Sequence, residues 1–188
     1  MAQIPSEIYL VFADARTNNN KFWSAKASNN GTLETTWGRV GYSGQTKNYD
    51  CGSNSSAITK LHILATAKKQ KGYRETQPLK QLSSQSNIRR ALQLLEQIKP
   101  YVQSRNFNAS NYLEALNEYL TIVPTPLGMS INPATIYRNV AVVEHQIHLL
   151  QQLISPTVNS NRPALLLDVQ ATSVPASLKR ISNLFWKL

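Results

Sequence analysis

Trp37-Gly38-Arg39-Val40-Gly41-Tyr42-Ser43-Gly44 closes one alternating run and turns the chain into the next. The two glycines of the turn Gly41 to Gly44 permit positive φ at a hairpin. Strand-like runs lie on both sides: Ile8 to Phe12, Phe22 to Ala27 and Thr32 to Val40 come first, and Gln45 to Tyr49 follows. Polar turns at Thr17-Asn18-Asn19-Asn20 and Asn29-Asn30-Gly31 separate them, so an antiparallel meander is expected. The stretch also carries chemistry. An aromatic face, a fixed guanidinium and glycines that allow close backbone approach suit the end of a nucleic-acid strand. That points to binding, not catalysis.

Moving outward, the hydrophobic period changes between Ser55 and Lys71. Ala57, Ile58, Leu61, Leu64 and Ala65 share one face, with Lys60, Lys68, Lys69 and Lys71 on the other face or at the end. One helix covering the sheet is expected, its last lysines also complementing the helix dipole. A joint from Thr76-Gln77-Pro78 to Ser83-Ser84 leads into an all-helical part. There Ser86 or Asn87 caps a helix that runs through Ile98 and ends at Pro100. A second spans Ala109 to Ile122, ended by Val123-Pro124-Thr125-Pro126. A third runs from Pro133 to Ile154, with Ile136, Val140, Val143, Ile147 and Leu150 as its buried stripe. Leu165-Leu166-Leu167 reads as a short buried strand, and Ser177 to Leu188 as a basic amphipathic helix. The expected class is α+β: a small antiparallel sheet with one packed helix, then a small helical bundle. The divisions fall at 1–75, 76–155 and 156–188.

The chain has 188 residues, 41% of them hydrophobic, enough for a core. Its 20 Lys and Arg outweigh 10 Asp and Glu, a net charge of +10 that favours polyanionic partners. Cys51 is the single cysteine, which excludes an intrachain disulfide and argues against zinc. His62, His145 and His148 lack Cys or carboxylate partners at ligand spacing, so no metal is expected. The acids Glu34, Asp50, Glu96, Glu114, Glu118, Glu144 and Asp168 are scattered, which supports no catalytic constellation and no cofactor. Met1-Ala2-Gln3-Ile4-Pro5 has no basic n-region, and the apolar run Ile8 to Ala13 is too short for a signal or a membrane span. A cytoplasmic or nucleoid-associated location is expected, nuclear in a eukaryote, without a membrane partner.

The first unit resembles a WGR domain, the DNA-sensing module of poly(ADP-ribose) polymerases. The resemblance runs from Asn20-Lys21-Phe22-Trp23 through Trp37-Gly38-Arg39-Val40-Gly41 and Gly44-Gln45. It continues along the helix at Ala57, Leu61, Ala65 and Lys68 to Tyr73. It implies that Trp37 packs on the sugar or base of a terminal nucleotide. Asn20, Lys21 and Arg39 would hold the end phosphate and nearby backbone, with Lys68 alongside and Tyr73 closing the site. Ile63-Leu64-Ala65 stands where the family often carries lysines and a Phe.

The helical part resembles the regulatory helical domain that follows WGR in those polymerases. The resemblance rests on Pro78-Leu79, Asn117-Glu118-Tyr119, Ile122-Val123-Pro124, Leu127-Gly128 and the helix from Ala134 to Leu153. Only the second half of that domain is represented. The transferase domain's His-Gly dipeptide is absent. The tail, at Leu167-Asp168-Val169 and Ile181 to Trp186, is faintly similar to that domain's opening strand and helix.

Together these readings lead to a non-catalytic protein that recognises DNA ends or nicks largely independently of sequence, with RNA an alternative polyanion. A protein partner is expected through the helical part and the tail. The alternatives are a protein–protein adaptor and a regulatory fragment of a split ADP-ribosyltransferase.

Overall fold

The computed structural model describes residues 6–77 and 84–154. Four strands form the meander: β1 (Glu7–Asp14), β2 (Asn19–Ala27), β3 (Thr32–Arg39) and β4 (Gln45–Asp50). Helix α1 (Asn54–Gln70) follows, then a two-residue strand β5 (Arg74–Glu75) that pairs with β1. The sheet order is β4-β3-β2-β1-β5, antiparallel throughout. The alternation seen in the sequence is the cause: Ile8, Leu10, Trp23, Ala25, Ala27 and Leu33 point to one face. There they meet Ala57, Leu61 and Ala65, one turn apart on α1. Ser53 starts the helix, its hydroxyl accepting from the Ser56 amide at 3.2 Å.

The turn glycines serve different purposes. Gly41 has φ +87, and a Cβ there would also overlap Pro126. Gly44 has no positive φ, but a Cβ would lie 2.8 Å from the Phe22 ring, Thr36 Cγ2 and the Trp37 carbonyl oxygen. A Cβ on Gly38 would press on Gly44 and the same ring. The space beside all three is filled by the chain itself: Gly38 and Gly41 were expected to admit a ligand strand, and Gly44 to adopt a positive φ.

The helical unit comprises α2 (Gln85–Gln103), α3 (Ser110–Ile122), α4 (Pro133–Ile136) and α5 (Val140–Ile154). It departs from expectation in three places. Helix α2 begins at Gln85, with Ser84 and not Ser86 or Asn87 at its N-cap, and continues past Pro100. Proline removes one N–H, yet Val102 beyond it is buried in the core and the Ser104 amide still bonds to the Pro100 carbonyl. The third expected helix is two helices. At the break the Tyr137 ring inserts edge-on against Tyr119, and Asn139 Oδ1 restarts the helix by accepting from the Val142 amide. Strand β5 was not anticipated, because two residues carry no period. The expected strand at Leu165 and helix at Ser177 lie outside the described residues.

Leu94, Leu95, Ile98, Leu116, Leu120, Val143 and Leu150 make the bundle core, into which Ala13 and Ala15 from the end of β1 also pack. Tyr112, Tyr119 and Tyr137 are fully buried within it. The Tyr112 hydroxyl donates to the Pro133 carbonyl at 2.7 Å. Among the described residues no helix is long and apolar enough to cross a membrane.

Candidate nucleic-acid interface

Strand register sets the site. Phe12, Lys21 and Arg39 oppose one another across β1, β2 and β3, and the next row holds Leu10, Trp23, Trp37 and Gln45. Directly opposed residues share a face, so both rows lie on the α1 side of the sheet. Trp23 is buried beneath the helix, whereas Trp37, one strand further out, is half-buried. It opens onto a cleft of about 290 Å³ between sheet and helix. Trp23, Trp37 and Tyr49 line the sheet side, and Leu64, Lys68 and Lys71 the helix side.

The end of α1 makes this cleft basic. Lys69 is occupied by Glu75, 2.6 Å away, but Lys21, Lys68 and Lys71 form no ion pair among the described residues. Burial first, then the Lys71 and Lys21 ammonium groups, hold Lys68 below the ordinary lysine pKa. The Lys68 ammonium lies 5.2 Å from the centre of the Tyr73 ring, which itself packs against Phe12. Burial raises the Tyr73 phenol above its usual value. Three cations crowded without a counter-charge are an arrangement that an anion relieves. Aromatic faces among them suit a ligand with planar groups. Among the described residues no three His, Cys, Asp or Glu side chains gather where a metal ion would be held.

Two of the six expected site residues are placed elsewhere. Asn20 is completely buried, its side-chain amide donating to the Thr125 carbonyl at 2.8 Å. Arg39 donates through Nε to the Gly128 carbonyl, through Nη1 to the Asn18 carbonyl at 3.1 Å and through Nη2 to Asn18 Oδ1 at 2.9 Å. Asn18 Oδ1 also accepts from the Ile131 amide at 2.8 Å, and Asn18 Nδ2 donates to the Met129 carbonyl. Asn18 adopts φ 54, which asparagine tolerates better than most residues. This clasp holds the sheet to residues 128–131, and the Ala15 amide adds a bond to Asn117 Oδ1. Trp37 and Lys68 thus line the cleft with Tyr73 and Lys21 beside Lys68, while Asn20 and Arg39 bond to the helical unit. The sequence reading missed Tyr49 in the cleft and Asn18 in the clasp. Alternation along β4 was the available signal for Tyr49; nothing local marked Asn18.

The WGR domain family matches residues 6–80, and the regulatory domain of poly(ADP-ribose) polymerases matches residues 57–162, more than half the chain. No catalytic domain matches within the chain. No match was found among curated proteins. A solved structure of a protein from Bacteroides fragilis is similar at 30% identity, over 38% of this chain and 19% of that one, with a TM-score of 0.34. The present chain therefore spans less than a fifth of that structure's length.

Proposed function

Because the chain belongs to the family of the poly(ADP-ribose) polymerase regulatory domain and carries a WGR domain ahead of it, we propose that it is a non-catalytic protein that recognises DNA ends or nicks largely independently of sequence. The observation that carries this reading is Trp37 half-buried in a cleft whose rim holds Lys68 and Lys71, neither in an ion pair among the described residues. Trp37 stacks on a terminal nucleotide, and Lys21, Lys68 and Lys71 hold the phosphates beside it. Backbone phosphates are the same in every sequence, so such contacts position the strand without reading it. The test compares duplex bearing a free end with closed circular duplex. Trp37→Ala costs about 1–3 kcal/mol on the first and far less on the second; equal loss on both defeats the reading.

A regulatory reading is favoured by a different observation. Arg39 lies two residues from Trp37 and bonds to Gly128 of the helical unit. A ligand at the cleft is then mechanically linked to residues 128–131, as a regulatory part of a split ADP-ribosyltransferase requires. Co-purification with an NAD-consuming partner whose turnover responds to DNA ends tests it, while the chain alone consumes no NAD.

A further inference from the structure

Beyond Trp37 the same seam between α1 and the sheet carries a second cluster. Tyr49 lies under two ammonium groups: Lys47 Nζ is 4.8 Å from its ring centre and Lys60 Nζ is 4.2 Å. One lysine comes from β4 and the other from α1, so the fold brings them to one ring from opposite walls of the seam. Neither forms an ion pair among the described residues. Two ammonium groups within 5 Å of one ring centre make a local concentration of positive charge beside an aromatic surface, which attracts an anion carrying planar groups. Tyr49 also lines the cleft that holds Trp37, which makes the two clusters continuous.

We propose that the Lys47–Tyr49–Lys60 cluster is a second subsite, which takes the single-stranded tail that continues from the nucleotide stacked on Trp37. This inference rests on the end-recognition reading and gives it a substrate class: ends with an unpaired overhang. Tyr49 pairs with Leu33 and Trp37 with Gln45, so the two aromatic rows are separated by four residues along β4. At about 3.4 Å per residue the two strand positions are roughly 14 Å apart, while the two rings meet at one cleft. Interleaved aromatic rings and lysines are how single strands are held without sequence preference.

The experiment uses the full chain and three fluorescent hairpin duplexes: one blunt, one with a 5′ tail and one with a 3′ tail, each tail about four nucleotides long. The wild-type chain is expected to bind one tailed probe about tenfold more tightly than the blunt one. Lys47→Gln and Lys60→Gln should each reduce that advantage and flatten the salt dependence on the tailed probe, by about 0.7 in log–log slope. Tyr49→Ala should remove most of the tail advantage. These lysines are not core residues, so their variants keep the test valid even where Tyr49→Ala fails to fold. Equal binding of blunt and tailed probes, with Trp37→Ala still abolishing end preference, overturns this inference alone. Lysine variants that weaken blunt and tailed probes equally overturn it too. If Trp37→Ala leaves end preference intact, the end-recognition reading falls and this subsite falls with it.

Discussion

Lys21 and Arg39 stand directly opposite each other on β2 and β3, yet their charges go to different places. Arg39 is drawn onto Asn18 and Gly128, where carbonyl and amide oxygens receive its guanidinium. Lys21 forms no ion pair among the described residues and lies near enough to Lys68 to depress its pKa. Two cations at one register position would repel if both stayed there. The helical unit resolves the conflict by taking one of them.

The two residues should therefore respond differently to substitution. Lys21→Gln and Lys68→Gln are each expected to lower the magnitude of the log–log salt slope for duplex binding by about 0.9, the value of one phosphate contact. Arg39→Gln should leave that slope nearly unchanged while lowering the melting temperature. Binding titrations from low to moderate salt, with thermal melts of the same variants, check both parts. An Arg39→Gln slope change as large as that of Lys21 would place the guanidinium on phosphate.

Binding should weaken at alkaline pH earlier than an ordinary lysine would dictate. Lys68 is held below 10.5 in the free protein, and only its protonated form attracts phosphate. Affinity is full below the depressed value and declines as pH rises through it. Lys21→Gln removes one neighbouring cation, so the residual affinity of that variant should decline at higher pH than wild type. Anisotropy measurements across the alkaline range decide this, and an unshifted decline would separate Lys68 from the interface.

Asn20→Ala should cost about 1–3 kcal/mol, since it leaves the buried Thr125 carbonyl without the amide that now donates to it. Gly41→Ala should also be destabilising, by at least about 1–2 kcal/mol, because it combines a left-handed backbone with overlap on Pro126. Denaturant titration measures each. Hydrogen exchange should show the loss at residues 125–131. A Gly41→Ala variant as stable as wild type would mean that the turn and the Pro126 segment are not tightly joined.

Alkaline unfolding should follow the tyrosines. Burial pushes Tyr9 and Tyr119 from 10.0 up to about 12, and raises Tyr112 and Tyr137 as well. The folded chain then holds protons that the unfolded chain has lost. Their contribution to stability is full below pH 10 and is lost as pH rises through the folded values. Tyrosinate absorbance and near-ultraviolet circular dichroism should change together above pH 10. Complete tyrosine ionisation near pH 10 with the fold retained would contradict the burial.

Local sequence determined the four long strands, the helix over them and the faces they bury, because a period of two or of 3.6 is a property of neighbouring residues. It also marked Trp37 and the lysines at the end of α1, whereas Lys21 and Tyr73 were singled out only through the WGR resemblance. The break at Tyr137 and the passage of α2 through Pro100 were not legible, since each depends on a ring or an isoleucine-and-valine core reached only when the helices pack. The fate of Asn20 and Arg39 was decided by tertiary structure alone. A polar side chain beside a glycine-rich turn is equally suited to a phosphate and to a peptide carbonyl. Only the approach of residues 125–131, more than eighty positions along the chain, supplied the carbonyls that claimed them.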